Sequence, residues 1–391
     1  MAPSISASPA THESAAPSTY SGLLIRFRDR LEAELASWLA AKRAAADGAA
    51  FNLELIDGIA RLVVQGGKRL RPALVYFTYR ACGTADPATS AGAAAFEAAA
   101  VLPLALATEL LHTYLLIHDD IMDHAEVRRG QPAAHIHFRD LHRTHGLAGD
   151  AADFGNSVAI LLGDLAHTWA VELFTSLPEL PAAVSRRELT RCFSAMCEEV
   201  IGGQYLELLA AQRRAAAGGD RQTQEAELMQ ILRLKSGRYT AERPIQLGAL
   251  LAGAPQPAVE ALSAYGNAVG EAFQLQDDLL GMFGDSRTVG KPVGADLAEG
   301  KFTFLIHHAL AAASPAQRQA IESALGNPRL AAKEIADVQS ILEETGARHA
   351  VLAMVAERLR AARAALATLS LRPEGRTFLA GLLDVLRERE S

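Results

Sequence analysis

The stretch ELLHTYLLIHDDIMD, residues 109–123, sets the reading of the whole chain. Its apolar residues recur at helical spacing, and the run ends in Asp119, Asp120 and Asp123. Residues four apart share a helix face, with Cβ atoms about 5–6 Å apart. Two unneutralised carboxylates at that separation repel by about 3 kcal/mol at an effective dielectric of 20. A helix apolar on all sides is buried, and a buried helix gains no stability from facing acids. A hard divalent cation removes the repulsion, and an all-oxygen ligand set suits Mg2+. The design returns downstream, where AVGEAFQLQ at 268–276 leads into Asp277 and Asp278. A solvated acidic helix end is the plainer alternative for either group alone, and the apolar flanks count against it.

Composition narrows the field. Half of the 391 residues are apolar and only 6% aromatic, which favours closely packed helices over sheet. A net charge of −7 excludes general nucleic-acid binding. Cys82, Cys192 and Cys197 form no CxxC pair, which fits a reducing, cytoplasmic setting. The longest apolar stretch, around 98–118, carries Glu109 and His112, so no integral membrane segment is expected. Residues 1–20, rich in Ser, Ala, Pro and Thr, read as a disordered tail. Residues 21–391 read as a single domain.

From Tyr20 onward the periodicity is helical and no alternating strand pattern appears, so the fold class is all-α. Helices are predicted near 20–46, 52–64, 68–82, 92–123, 154–176, 185–216, 222–251 and 256–284. Five more follow, near 302–313, 316–325, 330–345, 347–370 and 375–389. Residues 124–153 and 284–301, each following an acidic group, read as long loops able to act as lids. Both halves place a basic turn before a long apolar helix ending in Asp-Asp. The two acidic patches are therefore expected to face each other across one cavity.

Basic motifs indicate what a metal there would hold. Gly66-Gly67-Lys68-Arg69-Leu70-Arg71-Pro72 joins glycines, which let backbone amides approach an anion, to three cations. Taken alone it reads rather as the start of a surface helix with ordinary Lys and Arg. Arg128 and Arg129 lie close behind Asp123, either as salt-bridge partners or, once metal neutralises the acids, as phosphate clamps. Lys235-Ser236-Gly237-Arg238 adds another basic turn, and Lys291 and Lys301 bracket a glycine-bearing loop containing Asp296. Glu109 and His112 have ExxH spacing but no second such pair, and His135, His137, His142 and His145 lack cysteines or an HExxH helix. Nucleotide-binding and hydrolase glycine motifs are absent.

Taken in order, GGKRLRP at 66–72, LLIHDDIMD at 115–123, RRGQPAAH at 128–135, KSGRY at 235–239, FQLQDD at 273–278 and GKPVGADLAEGK at 290–301 resemble the trans-isoprenyl diphosphate synthases, or polyprenyl synthetases. The resemblance runs from about residue 20 to the C-terminus. It implies the isoprenoid synthase fold, antiparallel helices around a central apolar cavity, usually as a homodimer. About three Mg2+ ions would bridge an allylic diphosphate to Asp119, Asp123 and Asp277, with Asp120 and Asp278 supporting. Arg128, Lys235, Lys291 and Lys301 would bind that diphosphate, and Ser236 and Gln274 would lie beside the developing carbocation. Lys68, Arg71, His112 and Arg129 would hold isopentenyl diphosphate.

The chain departs from the family pattern at Gly281, where a final Asp is common, with Asp285 one turn on; Glu207 stands where Asp is frequent. Tyr114, five residues before Asp119, is expected to form the floor of the tail cavity, beside non-aromatic Leu115. That combination resembles short-chain enzymes stopping at the twenty-carbon geranylgeranyl product. Farnesyl (C15) or longer products are the alternatives, as is a non-catalytic partner subunit of a heteromeric synthase. A terpene cyclase would need a different second metal motif and has less use for GGKRLRP.

Overall fold

Thr19 opens the first helix, α1 (Tyr20–Ala45), its hydroxyl accepting the Gly22 amide at 3.2 Å. Leu23, Phe27, Leu31, Leu35 and Leu39 then fall on one buried stripe, each contributing about 1.5–3 kcal/mol by leaving water. Thr19 and Tyr20 thus belong to this helix rather than to the tail. The computed structural model describes residues 19–46, 50–64, 66–83, 90–213, 221–284 and 293–388. The tail expected at 1–18 lies outside them, as do Asp285 and Lys291.

The chain continues through α2 (Ala50–Val64) and α3 (Leu70–Cys82). The long helix expected near 92–123 is three pieces: α4 (Ala91–Phe96), a π-helical segment (Glu97–Val101) and α5 (Leu102–Met122). From Leu102 to Leu111 only Pro103 escapes full burial. This central helix packs on α7 (Ala151–Thr175), which itself rests on α6 (Ala134–Thr144). The helix expected near 222–251 is likewise split, into α9 (Arg221–Ile231), a second π-helical segment (Leu232–Glu242) and α10 (Arg243–Leu251). Such segments widen the helix by a residue per turn and cluster at functional sites. Between these blocks lies α8 (Arg186–Arg213), and α11 (Gln256–Phe283) carries the second acidic pair. Helices Phe304–Ala312, Pro315–Ala324, Ala332–Glu344, Ala347–Ala367 and Pro373–Glu388 complete the bundle.

Residues 124–153 are not the irregular loop expected. They hold α6 and a two-residue antiparallel ladder, β1 (Val127–Arg128) with β2 (Gln131–Pro132), in which Arg128 opposes Gln131. The buried stripe of α6 is Ala134, His135, Phe138 and His142. Imidazoles at apolar positions hide the helical period.

Small residues bring the backbones around the site together. A Cβ on Gly203 of α8 would lie 2.4 Å from Lys235 N, and one on Gly270 of α11 would lie 2.2 Å from Gly237 O. Both distances are sterically forbidden, so α8, the second π segment and α11 meet main chain to main chain. The buried apolar residues form one continuous cluster.

Two stretches, Ala91–Met122 and Ala151–Thr175, are long and apolar enough to cross a bilayer by length and composition alone. Both are packed into the bundle, the most apolar window of the first being 72% buried and that of the second 44%.

Candidate active site

The C-terminal end of α5 distributes its three acids to three different partners. Asp119 lies 3.7 Å from Lys235 Nζ. Asp123 Oδ2 accepts from Lys301 Nζ at 2.8 Å. Asp120 is buried and receives the Arg128 guanidinium, with Nε at 2.8 Å and a second contact from its terminal nitrogen. In this state Arg128 is a salt-bridge partner of the acid before it is anything else.

In the second acidic group, Asp278 lines one pocket with Asp296 and Lys301. Asp278 Oδ1 accepts from Gln274 Nε2 at 2.8 Å, and Gln274 Oε1 accepts from Ser236 Oγ at 2.7 Å. This relay ties α11 to the second π segment. Lys301 also reaches Glu299 at 2.7 Å and Asp296 at 3.7 Å. Lys235 is salt-bridged to Glu207. Sequence reasoning gave Glu207 and Asp296 no role, although it noted both positions.

Charge is crowded here. Burial raises the Asp278 carboxyl well above the usual carboxylate range, and Asp296, Asp277 and Glu207 add to it. Burial works against the Lys301 ammonium, yet Asp296, Asp123, Glu207 and Glu299 carry its pKa well above the ordinary value. Burial likewise opposes the Lys235 ammonium, and Glu207 and Asp119 more than offset it. Two lysines amid so many acids leave negative charge over, which fits divalent cations. Among the described residues no three His, Cys, Asp or Glu side chains converge into a ready-made metal cage. Mg2+ is suited to that arrangement, since it is held by one or two carboxylates and completes its shell with waters and phosphate oxygens.

A basic cluster lies beside the acids. The Arg71 guanidinium donates to Thr240 Oγ1 at 2.8 Å and lies 4.3 Å from the Tyr239 ring centre. Arg129 donates to the Gly66 carbonyl, and its guanidinium covers Gly67. Lys68 Nζ is 5.3 Å from the Phe273 ring, one residue from Gln274. His112 is held well below its usual pKa by burial, then by Arg71, Arg129, Arg128 and Arg69. Among the described residues, neither His112 Nδ1 nor Arg71 Nε, both buried, has a hydrogen-bond partner. Arg69 is different: fully buried, it pairs with Glu109 and the Val63 carbonyl. Arg69, His124 and Arg129 are the non-glycine residues with left-handed backbone among those described (φ 49°, 52° and 52°), and such strain gathers at functional sites.

Tyr114 sits one turn above the acids. Its ring centre lies 4.8 Å from that of His118 and 5.1 Å from that of His167 on α7. His118 Nε2 is 3.1 Å from the Ile160 carbonyl, and Leu115 packs against the core.

The polyprenyl synthetase family model matches residues 54–345. The chain belongs to that family. Its fold is therefore the isoprenoid synthase fold and its activity prenyl diphosphate synthesis by trans-prenyl transfer. A short chain isoprenyl diphosphate synthase from Methanothermobacter thermautotrophicus is 32% identical over 336 residues, covering 86% of this chain and 90% of that one. A geranylgeranyl pyrophosphate synthase of Corynebacterium glutamicum, solved with isoprenyl diphosphate and magnesium, superposes with a TM-score of 0.84. It is 32% identical and covers 94% of this synthase and 99% of its own chain. Product length varies among relatives: the Geobacillus stearothermophilus protein, 32% identical over 76% of this chain and 91% of its own, is a farnesyl diphosphate synthase. The Escherichia coli protein, 31% identical over 71% and 74%, is an octaprenyl diphosphate synthase.

Proposed function

We propose that this prenyl synthase condenses isopentenyl diphosphate with allylic diphosphates and stops at the C20 geranylgeranyl product. The observation that carries the chain length is the ring cluster of Tyr114, His118 and His167, set one helical turn from Asp119 where a growing tail would arrive. The names of relatives span shorter and longer products, so a C15 or longer product is the alternative, decided by the same experiment. A non-catalytic partner subunit is disfavoured by the presence of both acidic groups and all the basic motifs.

Asp119, Asp123 and Asp277 would hold about three Mg2+ ions with the allylic diphosphate, supported by Asp120 and Asp278. The metal, when bound, supplies the counter-charge that makes diphosphate a leaving group. Lys235, Lys301, Arg128 and Lys291 take the diphosphate oxygens, the first three exchanging their present carboxylate partners for phosphate. Ser236 and Gln274 orient oxygen dipoles toward the allylic carbon as positive charge develops there. Lys68, Arg71, Arg129 and His112 place isopentenyl diphosphate so that its double bond attacks that carbon in a water-poor site. The proton released from the new C–C product goes to the departing diphosphate, a base that the reaction itself leaves beside the allylic carbon.

A homodimer in the cytoplasm is part of the proposal. The outer face of α7 leaves Ile160, Val171 and, 58% exposed, Leu161 uncovered, an apolar surface suited to a second copy. The three cysteines are free thiols. The test is direct: the pure protein is incubated with Mg2+, isopentenyl diphosphate and the C5, C10 or C15 allylic diphosphate, and products are chromatographed. A series ending at C20 supports the proposal; no condensation at all would overturn it.

A further inference from the structure

The two acidic groups are unequal in one respect. On α5 the carboxylates fall at positions 119 and 123, one helical turn apart on one face. On α11 the position equivalent to Asp123 is Gly281, which has no side chain. The space above it is filled. A Cβ built on Gly281 would lie 2.8 Å from Asp296 Oδ2 and 3.8 Å from its Cγ. A carboxylate from another part of the chain therefore occupies the volume that an acid at 281 would fill.

The segment carrying that carboxylate is anchored to Gly281 by its own main chain. Gly294 N donates to Gly281 O at 3.0 Å. Gly294 is left-handed, with φ 80°, and turns the chain into the short helix Ala295–Ala298. Leu297 is buried beneath it, its carbonyl accepting the Gly326 amide at 2.8 Å. Lys301 N closes the turn on Asp296 O at 2.9 Å. Backbone hydrogen bonds of Gly294, Leu297 and Lys301 fix the turn that carries Asp296, and its side chain lies near two groups already assigned. It is the foremost charged neighbour raising the Asp278 carboxyl, and its Oδ1 stands 3.7 Å from Lys301 Nζ, which bonds Asp123 at 2.8 Å.

We propose that Asp296 supplies the missing third carboxylate of the second acidic wall, and that Gly281 is glycine so that it can. The assignment rests on the prenyl-transfer reading of the site and adds a ligand-side residue to it. A carboxylate delivered by the loop, rather than by the helix, joins the diphosphate-binding lysine to the metal-binding wall in one short segment.

The test uses Mn2+ as an electron-paramagnetic probe, titrated into the full-length protein with and without inorganic pyrophosphate. Asp296→Asn is expected to weaken pyrophosphate-dependent Mn2+ binding by about tenfold or more, the scale seen when outer partners of a metal site are removed. Metal-free Asp296→Asn relieves Asp278 of a like-charged neighbour and takes a counter-ion from Lys301, so its melting midpoint is expected near the wild-type value. The swap Gly281→Asp with Asp296→Asn returns the acid from the helix and is expected to recover most of the lost binding. Unchanged Mn2+ binding in Asp296→Asn, or a swap no better than the single variant, would each overturn the assignment. Wild-type protein that binds no Mn2+ even with pyrophosphate would instead overturn the prenyl-transfer reading.

Discussion

Lys301 Nζ and Asp123 Oδ2 are 2.8 Å apart although 178 positions separate them in the chain. The pair joins the end of α5 to the segment following α11, so one lysine spans the gap between the two acidic groups. Its replacement by Gln keeps a donor and removes the charge. Lys301→Gln is expected to lower kcat/KM for the allylic substrate by about 10–100-fold, the equivalent of one charged hydrogen bond. In the same variant divalent cations are expected to bind the substrate-free protein more tightly, because Asp123 has lost its internal counter-ion. Steady-state kinetics and calorimetry read the two effects separately.

Asp119 is expected to matter for turnover and not for folding. Its contact with Lys235 is long, at 3.7 Å, and the residue stays partly exposed, so Asn costs little stability. Asp119→Asn is expected to lose at least about a hundredfold in kcat with a thermal midpoint near the wild-type value. Wild-type turnover in the variant would remove Asp119 from the metal site.

Shortening the Tyr114 side chain should open the floor. Tyr114→Ser removes the ring that meets His118 and His167 and is expected to shift products beyond C20, at a stability cost of about 2 kcal/mol. Chromatography of the dephosphorylated alcohols shows the shift; an unaltered distribution would assign the length limit elsewhere.

His112 offers a pH signature. Burial and four arginines depress its pKa, so the free enzyme holds it neutral while the unfolded chain protonates near pH 6.5. Folding stability from this residue is therefore intact above pH 6.5 and falls as pH drops below it, since the unfolded state binds the proton first. A diphosphate placed among Arg71, Arg128 and Arg129 cancels the positive field and raises that pKa. Pyrophosphate binding near pH 6 is expected to take up protons, seen as buffer-dependent calorimetric enthalpies, and His112→Gln is expected to abolish the uptake.

The exposed stripe of α7 makes the last test. Leu161→Glu puts a charge into the face that a second copy would cover. Light scattering is expected to report half the wild-type mass.

Much of this was legible in the letters, and the exceptions share a cause. Helices with Leu, Ile and Val on one stripe, such as α1 and α11, could be read to within a few residues. The α6 helix could not, because His135 and His142 fill its buried face and look polar in a sequence. The π-helical segments were invisible, since one extra residue per turn disturbs the period too briefly. At the site, the motifs named residues that the fold brings near one another, but not their partners. Nothing in GGKRLRP distinguishes Arg69, spent on Glu109, from Arg71, which leans on Tyr239. Pairings such as Asp120 with Arg128, or Asp296 over Gly281, depend on where loops land. That is set by packing across the whole bundle and not by local spacing.

The meeting of Gly203, Gly237 and Gly270 with their neighbours' main chains has a consequence for how such enzymes diversify. Where peptide groups touch, the jaws that grip the head group can neither close further nor be loosened by trading one side chain for another. The tail side, where Tyr114 meets His118 and His167 ring to ring, has no such stop. Gauge and grip can thus drift independently, so one scaffold can measure out tails of many lengths without relearning how to hold the end that reacts.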